Sequence, residues 1–406
     1  MAKNVILIDF DWVGHVPSYH ILWTSALLQL GHKVISYSPC PMDIIDALGK
    51  SDNLVTKQLN YRYTSLHSDF FPNVVSSKLH SKINQLKSFK ILRSLYFWSY
   101  AGSLVKASGI NFDRVIFPYL DQKFLAKGLS VKLVDLFFPF FWSGLLVTPN
   151  EFRHPSPMFP MDQSRLKIFK SKYFKSLGIL DEGVETFVSK CLSPKPVVVF
   201  PDVIFEPMGG VNSPDLDGLL KRADGKKVVL LIGEISKRKG IFEFLELSKK
   251  AIDLPYVFAL IGPLDSKTCF QDDLLKIHSV LKHPAHNQFV RLGRIQNNEE
   301  YDSWIKASDY VYAYYPDYPY SSNTVSKAAY YKKPVLVNSG GLLEARVLRH
   351  QTGVPTQPSP EKQLRDLLFV NQLSNKGFFK PERFESYYIE QSFNKLKVAL
   401  SKLLLD

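Results

Sequence analysis

The chain has 406 residues, 45% of them hydrophobic and 13% aromatic, and its 51 Lys and Arg against 38 Asp and Glu give a formal net charge of +13. That composition excludes a disordered chain, and the length exceeds one ordinary core, so two domains are expected. The charge points to an anionic partner: nucleic acid, an acidic membrane surface or a phosphorylated substrate.

Nucleic acid is set aside, because the positive residues are dispersed and no nucleic-acid-binding motif appears. The three cysteines, Cys40, Cys191 and Cys269, are far apart and lack metal spacing, so neither disulfides nor zinc are expected.

Residues 4–10 form an almost continuously apolar run, the pattern of a parallel strand buried on both faces. With no leader-like segment ahead of it, a cytoplasmic location is expected. A turn with Gly14, His15, Pro17 and Ser18 follows, then a helix over 20–30 and a strand over 34–37, which make a βαβ unit. Gly14 lies in the loop that would face a ligand, but the three-glycine dinucleotide fingerprint is missing, so no nicotinamide or flavin cofactor is expected. His15 and His20 fit either ordinary packing or ligand contact.

The segment 78–106 interleaves lysines and Arg93 with Leu, Phe, Tyr and Trp98. It reads as an interfacial amphipathic helix attaching the protein peripherally to the cytoplasmic face of an anionic membrane, or as a core helix with a basic outer face. The most apolar stretch, 136–147, is about half of the roughly 20 residues a span needs and contains Pro139. It reads as a buried helix end followed by a core strand. After the strand over 145–148 comes a loop with Glu151, Arg153 and His154, fit for acid/base or substrate-orienting work, or else a solvated loop with a local ion pair.

Between residues 201 and 226 the chain turns rich in proline, glycine and aspartate, which marks a domain boundary. Strands over 228–232, 256–261 and 289–292 each run into a glycine, and the first leads into Lys237, Arg238, Lys239 and a helix over 241–251. A diphosphate needs fixed dipoles and at least one cation, which these three residues could supply, or they are a solvated basic turn. A further strand over 310–314 is followed by Ser321, Ser322, Asn323 and Thr324, which offer capping chemistry ahead of a helix over 325–332. A strand over 334–337, Gly340 with Gly341, and a helix over 342–349 repeat the arrangement. In an α/β sheet such turns lie at the carboxyl ends of the strands, where anionic ligands meet backbone N–H groups. Apolar residues at helical spacing over 384–405 predict one terminal helix. The fold class is therefore α/β, two doubly wound, Rossmann-like domains in tandem, with divisions expected at 1–205, 206–382 and 383–406.

The order of motifs in the second half resembles the GT-B glycosyltransferases, and within them the retaining family called glycosyltransferase family 4. The matching positions are Pro201, Asp202 and Val203; the loop 233–240 with its lysine at Lys239; Gly293; Asp309; Pro334 with Val335; Gly340, Gly341 and Glu344; and Gly353. The resemblance covers most of 201–353, and the first half only in strand order. Two family glutamates are absent, with Pro319 and Lys327 at their positions, and Glu234 replaces the arginine of the phosphate loop. The family's histidine in the first domain falls near Asn150, four residues before His154.

The resemblance implies two domains facing across a cleft and transfer of a sugar from a nucleotide-diphosphate-sugar donor to a hydroxyl of a saccharide or lipid-linked acceptor, with retention. No cofactor or metal is implied. Lys239, helped by Lys237 and Arg238, would hold the diphosphate with Ser322, Asn323 and Thr324, and Gly340 and Gly341 would lie beside the sugar. Lys327 would be a phosphate or sugar contact, or a surface lysine. Glu151 and Glu344 are candidates to replace the missing carboxylates. The alternative is a relative that binds a sugar nucleotide or glycan without turnover. The terminal helix resembles the segment that crosses back to the first domain in GT-B proteins.

Overall fold

The computed structural model describes residues 2–12, 16–59, 87–120, 124–125, 128–148, 163–204, 213–265, 277, 282–316 and 318–405. They form two compact units, one of residues 1–201 with 393–406 and one of 202–392.

In the first unit the chain runs β1 (Asn4–Ile8), α1 (Val16–Gln29), β2 (Lys33–Ser38), α2 (Pro41–Leu48), β3 (Leu54–Gln58), α3 (Lys87–Ala107), β4 (Arg114–Phe117), α4 (Val131–Phe137), β5 (Trp142–Leu146), a 3-10 helix (Gln163–Lys170), β6 (Phe174–Ile179), α5 (Glu185–Leu192) and β7 (Val197–Val199). The seven strands pair in parallel in the order β3-β2-β1-β4-β5-β6-β7. Their apolar runs are the cause: β1, β4 and β5 are buried along almost their whole length, which only a sheet covered on both faces provides. One face carries an aromatic cluster in which Trp98 of α3 packs against Phe117, Phe124, Phe138 and Trp142.

That packing supports the core reading for the described part of the segment 78–106. Phe97, Trp98, Ala101 and Val105 are buried, and the Trp98 indole donates to the Phe124 carbonyl. The apolar face of this helix is therefore spent in the core, and residues 78–86 lie outside the described residues. The stretch 136–147 departs from expectation in one respect. Its strand, β5, is buried, but the end of α4 is not, since Leu136 is 68% and Phe137 39% exposed.

The second unit runs α6 (Pro214–Ala223), β8 (Lys227–Ile232), a 3-10 turn (Lys237–Lys239), α7 (Ile241–Lys250), β9 (Tyr256–Gly262), β10 (Gln288–Leu292), α8 (Asn298–Ala307), β11 (Tyr310–Ala313), α9 (Asn323–Tyr330), β12 (Val335–Asn338), α10 (Leu342–His350), β13 (Gly353–Thr356), α11 (Pro360–Asn375) and α12 (Pro381–Glu390). Its parallel sheet has the order β10-β9-β8-β11-β12-β13. The strand order reverses between β8 and β11, so the loops after these two strands diverge and leave a crevice at their carboxyl ends.

The terminal segment is two helices where one was expected. After α12 the chain breaks at Gln391 and Ser392, and α13 (Phe393–Leu403) packs on α1, β6 and β7 of the first unit. Leu396, Ala399, Leu400 and Leu403 face inward. The last carbonyls of α13 are satisfied by cations and a hydroxyl: buried Arg114 and Ser176 donate to Leu403 O, at 3.5 and 2.7 Å, and Lys3 donates to Leu404 O at 2.6 Å. Positive charge at a helix carboxyl end is the favourable placement.

Candidate functional site

The loops after β8 and β11 in the second unit bring together side chains that are distant in sequence. Gly233 ends β8 at φ +102, and a Cβ there would lie 3.3 Å from the Lys239 ammonium. Only a glycine accepts this backbone and leaves the space that the lysine fills. Gly262 at the end of β9 is equally constrained, because a Cβ would fall 2.0 Å from the Gly233 carbonyl. These two glycines let adjacent strand ends approach closely and turn the 233–240 loop over the sheet edge.

Lys239 points back across that edge. Its Nζ donates to the Ile232 carbonyl and to the Tyr315 hydroxyl, both at 3.4 Å, and lies 4.8 Å from the centre of the Tyr315 ring. Both bonds are long, so the ammonium is held in place with donor capacity to spare. Tyr315 Oη is 3.1 Å from Ser322 Oγ, and Tyr301 Oη of α8 is 2.8 Å from Thr324 Oγ1. Burial on its own would push the Tyr315 phenol up, but Lys239 and the hydroxyls of Ser322 and Thr324 outweigh it and hold the phenol below its ordinary value. Burial, with Tyr315 close by, raises the Tyr301 phenol well above the ordinary range, although a second ammonium, that of Lys327, lies 4.8 Å from the centre of its ring. The result is a cation and three kinds of hydroxyl around the first turn of α9, at the positive end of its dipole. An anion with several oxygens is what such a set stabilises.

The expected capping residues work differently. Ser322 is the N-cap of α9 but makes no side-chain cap bond, since its hydroxyl is turned to Tyr315. Ser321 donates to the Asp202 carboxylate and accepts from Arg346 at 2.7 Å. Asn323, with its amide nitrogen toward the same carboxylate, donates to it as well. Asp202 is itself anchored, its N–H donating to Gln391 Oε1 at 2.7 Å. Asp202 and Arg346 are both almost fully buried, so this network fixes the entry into α9 from the far side.

The remaining sequence candidates separate. Arg238 lies 5.0 Å over the Tyr318 ring and 3.8 Å from Glu234, and like Lys237 it is exposed. Gly340 stands at φ +84 in open space, and Gly341 approaches Pro319, where a Cβ would come within 3.1 Å of its Cα. Glu344 folds back so that its carboxylate accepts from the Gly340 N–H at 2.6 Å, which ties the glycine turn to the first turn of α10. Lys327 reaches into α8, where it donates to Asp302 at 2.6 Å and Asn298 at 3.3 Å and lies over the Tyr301 ring. Its side chain is 9% exposed and that of Asp302 0%, so this is a buried ion pair rather than a surface lysine. Gly14, Glu151 and His154, with His15, lie outside the described residues. His20 is fully buried, with Nδ1 2.7 Å from Asp9 and Nε2 2.6 Å from Ser36, the packing alternative for that residue.

Sequence reasoning missed Tyr315 and Tyr301. Tyr315 had a signal, an aromatic hydroxyl at the carboxyl end of a strand; Tyr301 had none, because only the packing of α8 beside α9 brings it there.

This arrangement, two parallel α/β sheets each with a strand-order reversal, is the GT-B fold. No protein-family model and no curated protein matches the sequence. Solved structures do match over nearly the whole chain. A trehalose 6-phosphate synthase from Burkholderia multivorans has a TM-score of 0.66 at 11% identity, over 100% of this chain and 98% of that one. A sucrose-phosphate synthase from Thermosynechococcus elongatus gives 0.62 at 15%, over 99% and 98%. Anabaena HepE, solved with UDP and glucose, gives 0.60 at 10%, over 99% of both chains. At these identities the likeness is one of fold.

Proposed function

We propose that the protein is a glycosyltransferase that moves a sugar, with retention, from a nucleotide-diphosphate donor to a hydroxyl of a saccharide or lipid-linked acceptor. The observation that carries this reading is the Lys239 ammonium fixed against Tyr315, whose hydroxyl also meets those of Ser322 and Thr324 at the start of α9. A diphosphate seated there gains negative charge as the sugar leaves, and a cation held in advance stabilises that charge without reorganising. Positioning of the acceptor hydroxyl on the same sugar face then supplies the rest, with no protein nucleophile required.

Because Anabaena HepE was solved with UDP and glucose, UDP-glucose is the first donor to try. Lys239→Ala should lower kcat by about a hundredfold, in the range for loss of one charge-stabilising donor, and change acceptor KM little. If no nucleotide-sugar binds, or if Lys239→Ala leaves donor affinity and turnover at wild-type values, the reading fails.

A second reading, donor binding without turnover, is favoured by Lys327 and Pro319 at the positions of the family's two glutamates and by the commitment of Lys327 to Asp302. Donor consumption against donor binding separates the two.

A further inference from the structure

Apolar side chains in the first unit collect on one exposed surface. Leu133, Leu136, Phe137 and Phe141 are four large hydrophobics within nine residues, exposed by 39%, 68%, 39% and 47%. Isolated apolar residues on a surface are ordinary, but a contiguous group marks an interaction site. Leu133, Leu136 and Phe137 are spaced i, i+3 and i+4 on α4 and so share one face. Phe141 follows that helix and lies 6.2 Å from the Tyr173 ring.

The border of this surface is basic. Lys175 lies 4.2 Å over the Phe141 ring and Lys172 4.9 Å over Tyr173, and exposed Lys132, Lys167 and Lys170 come from α4 and the 3-10 helix. Within the described segments 128–148 and 163–175 the one carboxylate is Asp135, which Ser171 engages. Asp113, ahead of the neighbouring strand β4, accepts from the Asn4 N–H. Apolar and aromatic side chains bordered by lysines match a lipid interface, where rings enter the headgroup layer and ammonium groups meet phosphates. A second copy of the chain fits poorly, because it would set lysine against lysine on a protein already at +13.

We propose that the surface formed by α4, Phe141 and the lysines of 167–175 docks the protein on an anionic bilayer. The attachment is peripheral, since no helix among the described residues is long and apolar enough to cross a membrane. It is distinct from α3, of whose apolar side chains Phe97, Trp98, Ala101 and Val105 are taken up by the core and Leu92 is left exposed. This proposal does not depend on sugar transfer, since lipid binding is its readout.

The test is co-sedimentation of the full chain with vesicles of phosphatidylcholine alone and of equimolar phosphatidylcholine and phosphatidylglycerol, at low and high salt. Binding is expected only with phosphatidylglycerol and should weaken with salt. Lys172→Gln and Lys175→Gln should each lower the partition coefficient about fivefold. Phe137→Ser with Phe141→Ser should abolish measurable binding. Leu136→Ser, at the most exposed position, serves as the second variant should the aromatic pair disturb folding, and should cost about fivefold or more. Equal binding of wild type and these variants overturns the proposal, as does salt-insensitive binding to neutral vesicles. It is also overturned if the variants leave lipid binding intact but convert a dimer to a monomer in sedimentation velocity.

Discussion

Replacing Lys327 by Met tests whether this lysine serves the structure or the ligand. The side chain of similar length removes the charge that neutralises Asp302, whose carboxyl is fully buried, 2.6 Å from the ammonium. Breaking a buried pair by removing one partner costs about 3–5 kcal/mol, because the surviving charge is left without compensation. Burial already raises Asp302 above the usual carboxylate range, with the Lys327 bond and charge opposing it, so without Lys327 the carboxyl should rise further. The sign of the pH dependence follows. A carboxyl whose folded value lies above its unfolded value costs stability once pH exceeds the unfolded value, and the loss grows until pH passes the folded value. Urea unfolding of Lys327→Met should therefore show the full deficit at neutral pH and recover as pH falls toward the ordinary carboxylate range. The double variant Lys327→Met with Asp302→Leu removes both charges and should return to within about 1 kcal/mol of wild type or exceed it. Donor affinity of that double variant should stay within a few-fold of wild type. A double variant that is stable but has lost donor binding would refute the assignment of Lys327 to the fold, and a pH-independent deficit in the single variant would refute the electrostatic account.

Glu344→Gln keeps an oxygen to accept from Gly340 N–H, so turnover should stay near wild type; a fall of about a hundredfold or more, the scale of lost general acid/base catalysis, would restore Glu344 to a catalytic role. Tyr315→Phe removes the hydroxyl shared by Lys239 and Ser322 and should weaken donor binding in calorimetry by about tenfold, as expected for a hydrogen bond to a charged group. Gly262→Ala puts a Cβ 2.0 Å from the Gly233 carbonyl and should lower both the thermal midpoint and donor affinity, whereas wild-type values would show that the 233–240 loop can shift freely. Ending the chain after Gln391 removes four buried leucines, Leu396, Leu400, Leu403 and Leu404. That is about 6–12 kcal/mol of apolar burial, comparable with a whole domain's stability. The truncated protein should fail to fold its first unit, while loss of residues 405 and 406 should matter little; equal stability of the two truncations would contradict the packing of α13.

The residues that set local structure were legible in the chain itself. Continuous apolar runs such as 228–232 and 256–261 can be satisfied only inside a parallel sheet, and a glycine after each marks its carboxyl end, so the α/β class and the edge at which the 233–240 loop stands followed from sequence. Lys239 was legible too, because its place in a strand-glycine-helix context fixes which edge it occupies. What the sequence could not decide was partnership across distance. Ser321, Ser322 and Asn323 read as caps because capping is the nearest local use of a small polar side chain. Tertiary packing offered stronger partners in Asp202, Tyr315 and Arg346. Lys327 read as a ligand contact or a surface charge because Asp302 lies 25 residues away on another helix. The exposed end of α4 read as core because apolar spacing states what prefers burial, and only the packed fold shows which apolar side chains are covered: Phe97, Trp98, Ala101 and Val105 of α3 are, while Leu136 and Phe137 stay exposed.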